Sequence, residues 1–296
     1  MRRLSFSLLL LCVATTSAAA QSAQPAAHDK AWWQAIAKAG YTVPVDVPLS
    51  ALLDELTALL GHRDPELRDD IAYTTLAQWI YVKRAVPEAE RLRLMRVWIR
   101  NMSTGVGETG TDAVLRRSFS ALALAILPGL DNEAPFLDRA AFGDLLSATL
   151  AYLRDERDVR GFSNDVGWMH SVAHTADVLR FLGRSRHLTV PGQALILNGI
   201  RDKLAAVQTP LVNGEDERLA RAVLSLVARS DFDEAAFGAF LKALDVPFDG
   251  KPTTQSLAVG QNRRHLLVSL LTVLTLDTRD LPGLARARAM VVEILR

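Results

Sequence analysis

Within residues 158–177, DVRGFSNDVGWMHSVAHTAD, two histidines stand four apart, His170 and His174, with Asp177 three residues on. On a helix those three side chains share a sector about 60° wide. Imidazoles at that spacing can aim nitrogens at one point, and a carboxylate one turn on can share an ion or orient a ring. The chemistry open to such a stripe is binding of a divalent metal such as zinc, or acid–base catalysis. In the second case His170 or His174 is the base, Asp177 orients a ring and Asp158 assists. Glu156, Asp158 and Asp165 are the nearby acids able to complete a metal set. Zinc normally takes three convergent protein ligands and only two histidines are evident, so a metal-free site is the preferred reading. Ser171 follows His170 where the HExxH metalloprotease helix carries its general base, and that removes the protease reading.

The loop ahead of this helix adds binding groups. Gly161 and Gly167 permit tight turns, and Phe162 and Trp168 can pin the loop by burial. Arg160 either clamps an anionic group or pairs with Asp158, the second being the simpler account. Trp168 beside an arginine and two histidines suits a sugar or another ring-bearing ligand.

The elements that must position these groups are helices. From Ala31 onward apolar residues recur every three or four positions, with turn signals every 15–25 residues. PLSALLDELTALLG has proline in its first turn and stops at Gly61, and the same grammar runs to PGLARARAMVVEIL. TVPVDVP is too broken by proline for a central strand. The fold class is all-α.

Five helices begin polar and turn apolar: DDIAYTTLAQWI, RRSFSALALAIL, MHSVAHTADVLRFL, DERLARAVLSLV and NRRHLLVSLLTVL. Their leading positions Asp70, Arg117, His170, Asp216 and Asn262 recur at intervals of 47, 53, 46 and 46 residues. That period is close to HEAT and armadillo units. It predicts a right-handed superhelix of antiparallel helix pairs, an α-solenoid, with a closed α/α toroid as the alternative. The five polar starts would then line one concave surface. Asp70 with Tyr73, Arg117, Asp216 with Arg218, and Asn262 join Arg160 and Trp168 as candidate ligand-binding residues, although helix capping explains many of them equally well.

At the N-terminus, Arg2 and Arg3, the apolar run LSFSLLLLCVA and the small residues Ala18 and Ala20 read as a signal peptide over residues 1–20. Cleavage after Ala20 would remove Cys12, the sole cysteine, so neither disulfide nor thiol chemistry is expected. Residues 21–29 read as a flexible leader and 30–296 as a single helical-repeat domain. Loss of Arg2 and Arg3 leaves one more acid than base, which gives no electrostatic reason to expect nucleic acid as partner. No later stretch reaches transmembrane length without charges, so a soluble periplasmic or secreted protein without stable membrane insertion is expected. GVGETG has no Lys-Ser/Thr continuation and is not a phosphate cradle, and there is no G-x-S-x-G elbow.

The segments DDIAYTTLAQWI, RRSFSALALAIL, YLRDERDVRGFSNDVGWMHSVAHTADVL and GEDERLA make residues 65–275 resemble a bacterial family catalogued as domain of unknown function 2785. The resemblance implies an all-helical domain and carries no activity with it. Two functions follow from the residues. One is a binding protein holding a small molecule, glycan or peptide in its concave pocket. The other is a hydrolase, metal-assisted or His/Asp-based, acting in the same pocket.

Overall fold

Helix punctuation in the sequence is matched by twelve helices in the computed structural model, which describes residues 28–245 and 250–296. They are α1 (Lys30–Lys38), α2 (Leu49–Leu59), α3 (66–82), α4 (Glu88–Ser103), α5 (Ala113–Asp131) and α6 (Arg139–Asp155). There follow α7 (Ser171–Leu182), α8 (Val190–Ala206), α9 (Glu215–Val227), α10 (Glu234–Leu244), α11 (Thr254–Leu276) and α12 (Pro282–Leu295). Among the described residues the fold is all-helical but for one small hairpin, β1 (Phe162–Ser163) against β2 (Gly167–Trp168), whose turn ends on Gly167 at φ +71°. Two-residue strands leave no period-two pattern, which is why the sequence does not announce them.

Side-chain caps set several helix starts. Asp138 accepts from the Ala141 N–H at 2.7 Å, and Thr189 and Asp233 cap α8 and α10 in the same way. A reciprocal cap between Thr253 and Ser256 opens α11 at Thr254, well ahead of Asn262, the leading polar position expected from the sequence. Its first two turns lack an apolar period, so only the cap marks them.

The segment expected to be a signal peptide, and that expected to be a leader as far as Ala27, lie outside the described residues. The last two residues of that expected leader, His28 and Asp29, make contacts with the first helices. The His28 ring stacks on Trp32 at 3.7 Å and donates to Glu55 at 2.9 Å, and Asp29 caps α1 by accepting from the Trp32 N–H at 2.8 Å.

The helices pack as two files. In one, α3, α5, α7, α9 and α11 contact each other in succession; in the other, α4, α6, α8, α10 and α12 do so. One buried apolar cluster runs between them from Trp33 to Val291. Helix α5 is long and apolar enough to cross a membrane by length and composition, although it carries Arg116 and Arg117. In the fold 83% of that stretch is buried inside the protein, so its apolarity is that of a core helix.

Candidate functional site

The loop over the N-terminal ends of α3, α5, α7 and α9 is held by one arginine that the sequence reading did not single out. Arg68, fully buried on α3, donates through Nη1 to the His62 carbonyl at 2.9 Å. Through Nη2 it donates to the carbonyls of Val166 (2.8 Å) and Trp168 (3.2 Å), and through Nε to Asp69 at 3.1 Å. Its guanidinium also lies 4.6 Å from the Phe119 ring centre. These bonds fasten the hairpin against α3. The chain then pairs Met169 N–H with Gly161 O at 2.8 Å and His170 N–H with Arg160 O at 3.0 Å before entering α7.

His170 makes that entry in a left-handed backbone conformation, φ 54° and ψ 34°, rare for a residue with a side chain. The conformation turns its ring under Trp168, stacked at 4.5 Å and 19°, and directs Nε2 at the Asn213 carbonyl at 2.9 Å. A carbonyl only accepts, so Nε2 carries the proton and Nδ1 the lone pair. Burial holds His170 below its ordinary value, although the Glu215 carboxylate, 3.6 Å from Nε2, works the other way.

His174 lies one turn on, 5% exposed and 5.6 Å from the His170 ring. Its Nδ1 is 2.8 Å from Ser118 Oγ, and the same hydroxyl donates to the Met169 carbonyl. One hydroxyl proton cannot serve both bonds. Nδ1 therefore donates to Ser118, and Nε2 keeps a lone pair. Burial, reinforced by His170 whenever that ring is protonated and by the Arg218 charge, holds His174 well below its ordinary value. Both imidazoles are neutral at pH 7.

Beside them lies a cleft of about 400 Å3 lined by Asp69, Tyr73, Phe119, Trp168, Asn213 and Arg218, together with Leu122, Gly214 and Glu217. Burial pushes the Asp69 carboxyl up to about 6, against the pull of Arg68. Burial also raises the Tyr73 phenol, helped by the charge of Asp177. Trp168 remains 39% exposed. The arrangement combines a lone-pair nitrogen, an aromatic face, a phenol and a carboxyl that titrates near neutrality. It can accept from hydroxyl donors, stack on a ring and move a proton.

The structure brings His170, His174, Trp168, Tyr73 and Arg218 together and places the other candidates elsewhere. Asp177 lines an adjoining, mostly apolar cleft of about 350 Å3 with Tyr81 and Phe181, and pairs with Arg218. Burial nevertheless raises the Asp177 carboxyl. Arg117 is buried against Glu156, donating through Nε at 2.5 Å and Nη2 at 3.2 Å. Asp158 accepts from Arg160 at 2.5 Å and from the Gly110 N–H at 3.0 Å. Burial would raise the Asp158 carboxyl, but these bonds hold it below its ordinary value. Asp216 accepts from Ser269 at 2.5 Å, and Asp165 pairs with Arg63. Asn262 clasps the loop before α9, accepting from Leu211 N–H at 2.8 Å and donating to Thr209 O at 2.9 Å. Asp70 is exposed on α3, while its neighbour Asp69 faces the cleft.

Two imidazoles thus share the cleft while Glu156, Asp158 and Asp216 lie outside its lining. Among the described residues no three His, Cys, Asp or Glu side chains gather as a metal set. No motif in the sequence marks Phe119, Leu122, Asn213 and Gly214 for the cleft, while Glu217 comes from the acidic start of α9. The signal for Phe119 and Leu122 was their place one and two turns into a helix whose polar start had been noticed.

No curated protein and no solved structure matches the chain. The family model described as Protein of unknown function (DUF2785) matches residues 102–272, beginning after α3 and so narrower than the 65–275 of the sequence resemblance. Asp69 and Tyr73 fall outside the match, whereas His170, His174, Asn213 and Arg218 fall within it. Matched over more than half its length, the chain belongs to this DUF2785 family of proteins of unknown function.

Proposed function

We propose that this is an exported helical-repeat protein that binds a ring-bearing, hydroxyl-rich ligand, a glycan unit, in the His170/His174 cleft. In this reading the two files of helices are a right-handed superhelix of antiparallel pairs, and the cleft lies on its inner file. The observation that supports it is the His174 tautomer: a neutral, buried imidazole keeps Nε2 as an acceptor, close to an exposed indole. Sugars present hydroxyl donors around an apolar ring face, and such a site meets both. The signal peptide would take the chain to the periplasm or beyond.

Titration with a panel of mono- and oligosaccharides, followed by tryptophan fluorescence and calorimetry, tests the reading. A bound sugar should change the emission, and Trp168→Ala or His174→Leu should weaken binding at least tenfold with the fold retained. Absence of binding across the panel, or binding indifferent to both variants, would refute it.

A second reading, hydrolysis in the same cleft, is favoured by Asp69, whose carboxyl at about 6 suits a general acid or base. Activity lost in Asp69→Asn with sugar affinity kept would establish it. Stoichiometric zinc that disappears in His170→Ala/His174→Ala would make it the metal-assisted form.

A further inference from the structure

At the opposite, C-terminal ends of α7 and α9 lies a groove of about 650 Å3 whose lining includes six arginines, Arg180, Arg184, Arg186, Arg221, Arg229 and Arg279. The first account to weigh is structural, since arginines commonly cap helix C-termini. It explains four of them. Arg229 donates to the carbonyls of Gly183 (3.1 Å), Ser185 (2.9 Å) and Leu188 (3.0 Å) and pairs with Asp231. Arg186 pairs with Asp131 and donates to Leu137 O, each at 2.7 Å. Arg221 pairs with Glu217 and Arg279 with Asp277.

It does not explain Arg180 and Arg184. Among the described residues neither has a carboxylate partner, and Arg180 Nε is buried without any hydrogen-bond partner. Their guanidinium carbons lie 5.6 and 5.4 Å from the centre of the same Phe181 ring, so both cations flank one aromatic side chain. Burial pushes both below arginine's ordinary value; on Arg180 the Asp177 carboxylate, itself paired with Arg218, pulls the other way while Arg221 and Arg218 add to the shift, and on Arg184 the cations Arg180 and Arg279 add to it. The four ion pairs leave a surplus of two positive charges, directed into a groove larger than a single orthophosphate needs.

We propose that this groove is a second binding site, independent of the histidine cleft, for a compact polyanion carrying two or more phosphoryl groups. Guanidinium forks match phosphoryl oxygens bidentately, and Arg180 and Arg184 are the donors left for them. The shared chemistry has two sources, a soluble phosphorylated molecule or an anionic lipid headgroup.

The test is calorimetric titration of the full protein with tripolyphosphate, together with sedimentation on vesicles containing cardiolipin, whose headgroup carries two phosphates. Each is compared across wild type, Arg180→Gln/Arg184→Gln, and Arg264→Gln on exposed α11 surface outside the groove. The expected result is one tripolyphosphate per chain, bound at least tenfold more weakly by the double variant, unaffected by Arg264→Gln and weakened by salt. Vesicle binding lost in the double variant alone would support the same site and identify a headgroup as the source. A wild type that binds neither, or binding that survives the double variant, or falls equally in Arg264→Gln, would overturn the proposal. Circular dichroism confirms the fold, and exposed Arg184→Gln alone serves if the double variant does not fold.

Discussion

The two ends of α7 and α9 treat charge in opposite ways. At the N-terminal ends, burial suppresses it: His170 and His174 are neutral, and Asp69 holds its proton up to about 6. At the C-terminal ends six arginines crowd one groove, and two of them lack a carboxylate among the described residues. Arg218 and Asp177 stand between the two. The difference teaches that one stack of helices can carry a desolvated site, where hydrogen-bond direction decides, and a solvated one, where net charge decides. Changes at one end should therefore leave the other intact.

The largest break expected is Arg68→Ala. It leaves the Val166 and Trp168 carbonyls and Asp69 without their buried partner, for a loss of about 3–5 kcal/mol in urea denaturation. If enough stability remains to fold, the arginine groove should still take tripolyphosphate while the cleft loses its roof. A smaller break is Gly161→Ala, whose Cβ would collide with the Asn213 side chain. Overpacking there should cost about 1–3 kcal/mol and disturb the carbonyl that receives the His170 proton, read as a changed histidine signal in NMR.

Ser118→Ala acts on the buried histidine end alone. It removes the acceptor for the His174 Nδ1–H and the donor to Met169 O, and should cost about 1–2 kcal/mol. It should also shift the His174 tautomer equilibrium, visible in 15N chemical shifts. The smallest effect belongs to Asp69→Asn. The folded pKa of Asp69 lies above its unfolded value of 3.8, so its contribution is fully present below that value and is lost as pH rises through about 6. The stability of Asp69→Asn relative to wild type should therefore be most favourable at pH 7. It should decline by about 1 kcal/mol on going to pH 5, measured by denaturation at each pH.

Legibility in the sequence followed the range of the interactions. Helix grammar was readable because apolar spacing, caps and breakers act within a few residues, and the central segment stood out through its paired histidines and loop aromatics. The candidate site was readable only in part. Adjacent residues on a helix differ by about 100°, and the first turns of α3 are widened π-helical turns, so Asp69 and Asp70 could not be assigned to faces by spacing. His170, His174 and Asp177 share a sector, yet a neighbouring helix supplies Arg218 to Asp177 and draws it into the next cleft. The five repeated starts do lie on successive helices of one file, but Arg117 turns to Glu156 and Asn262 to the loop before α9 instead of a common pocket.

By itself, the sequence determined the helical fold class, most helix limits and the segment where unusual chemistry would gather, because those follow from local hydrogen bonding and apolar period. Only the tertiary structure decided which polar groups face the cleft, which nitrogen of each histidine keeps its lone pair, and where arginines remain without acids. Those outcomes depend on burial and on partners contributed by helices 40 to 100 residues away, such as Ser118 to His174 and Arg68 to Trp168.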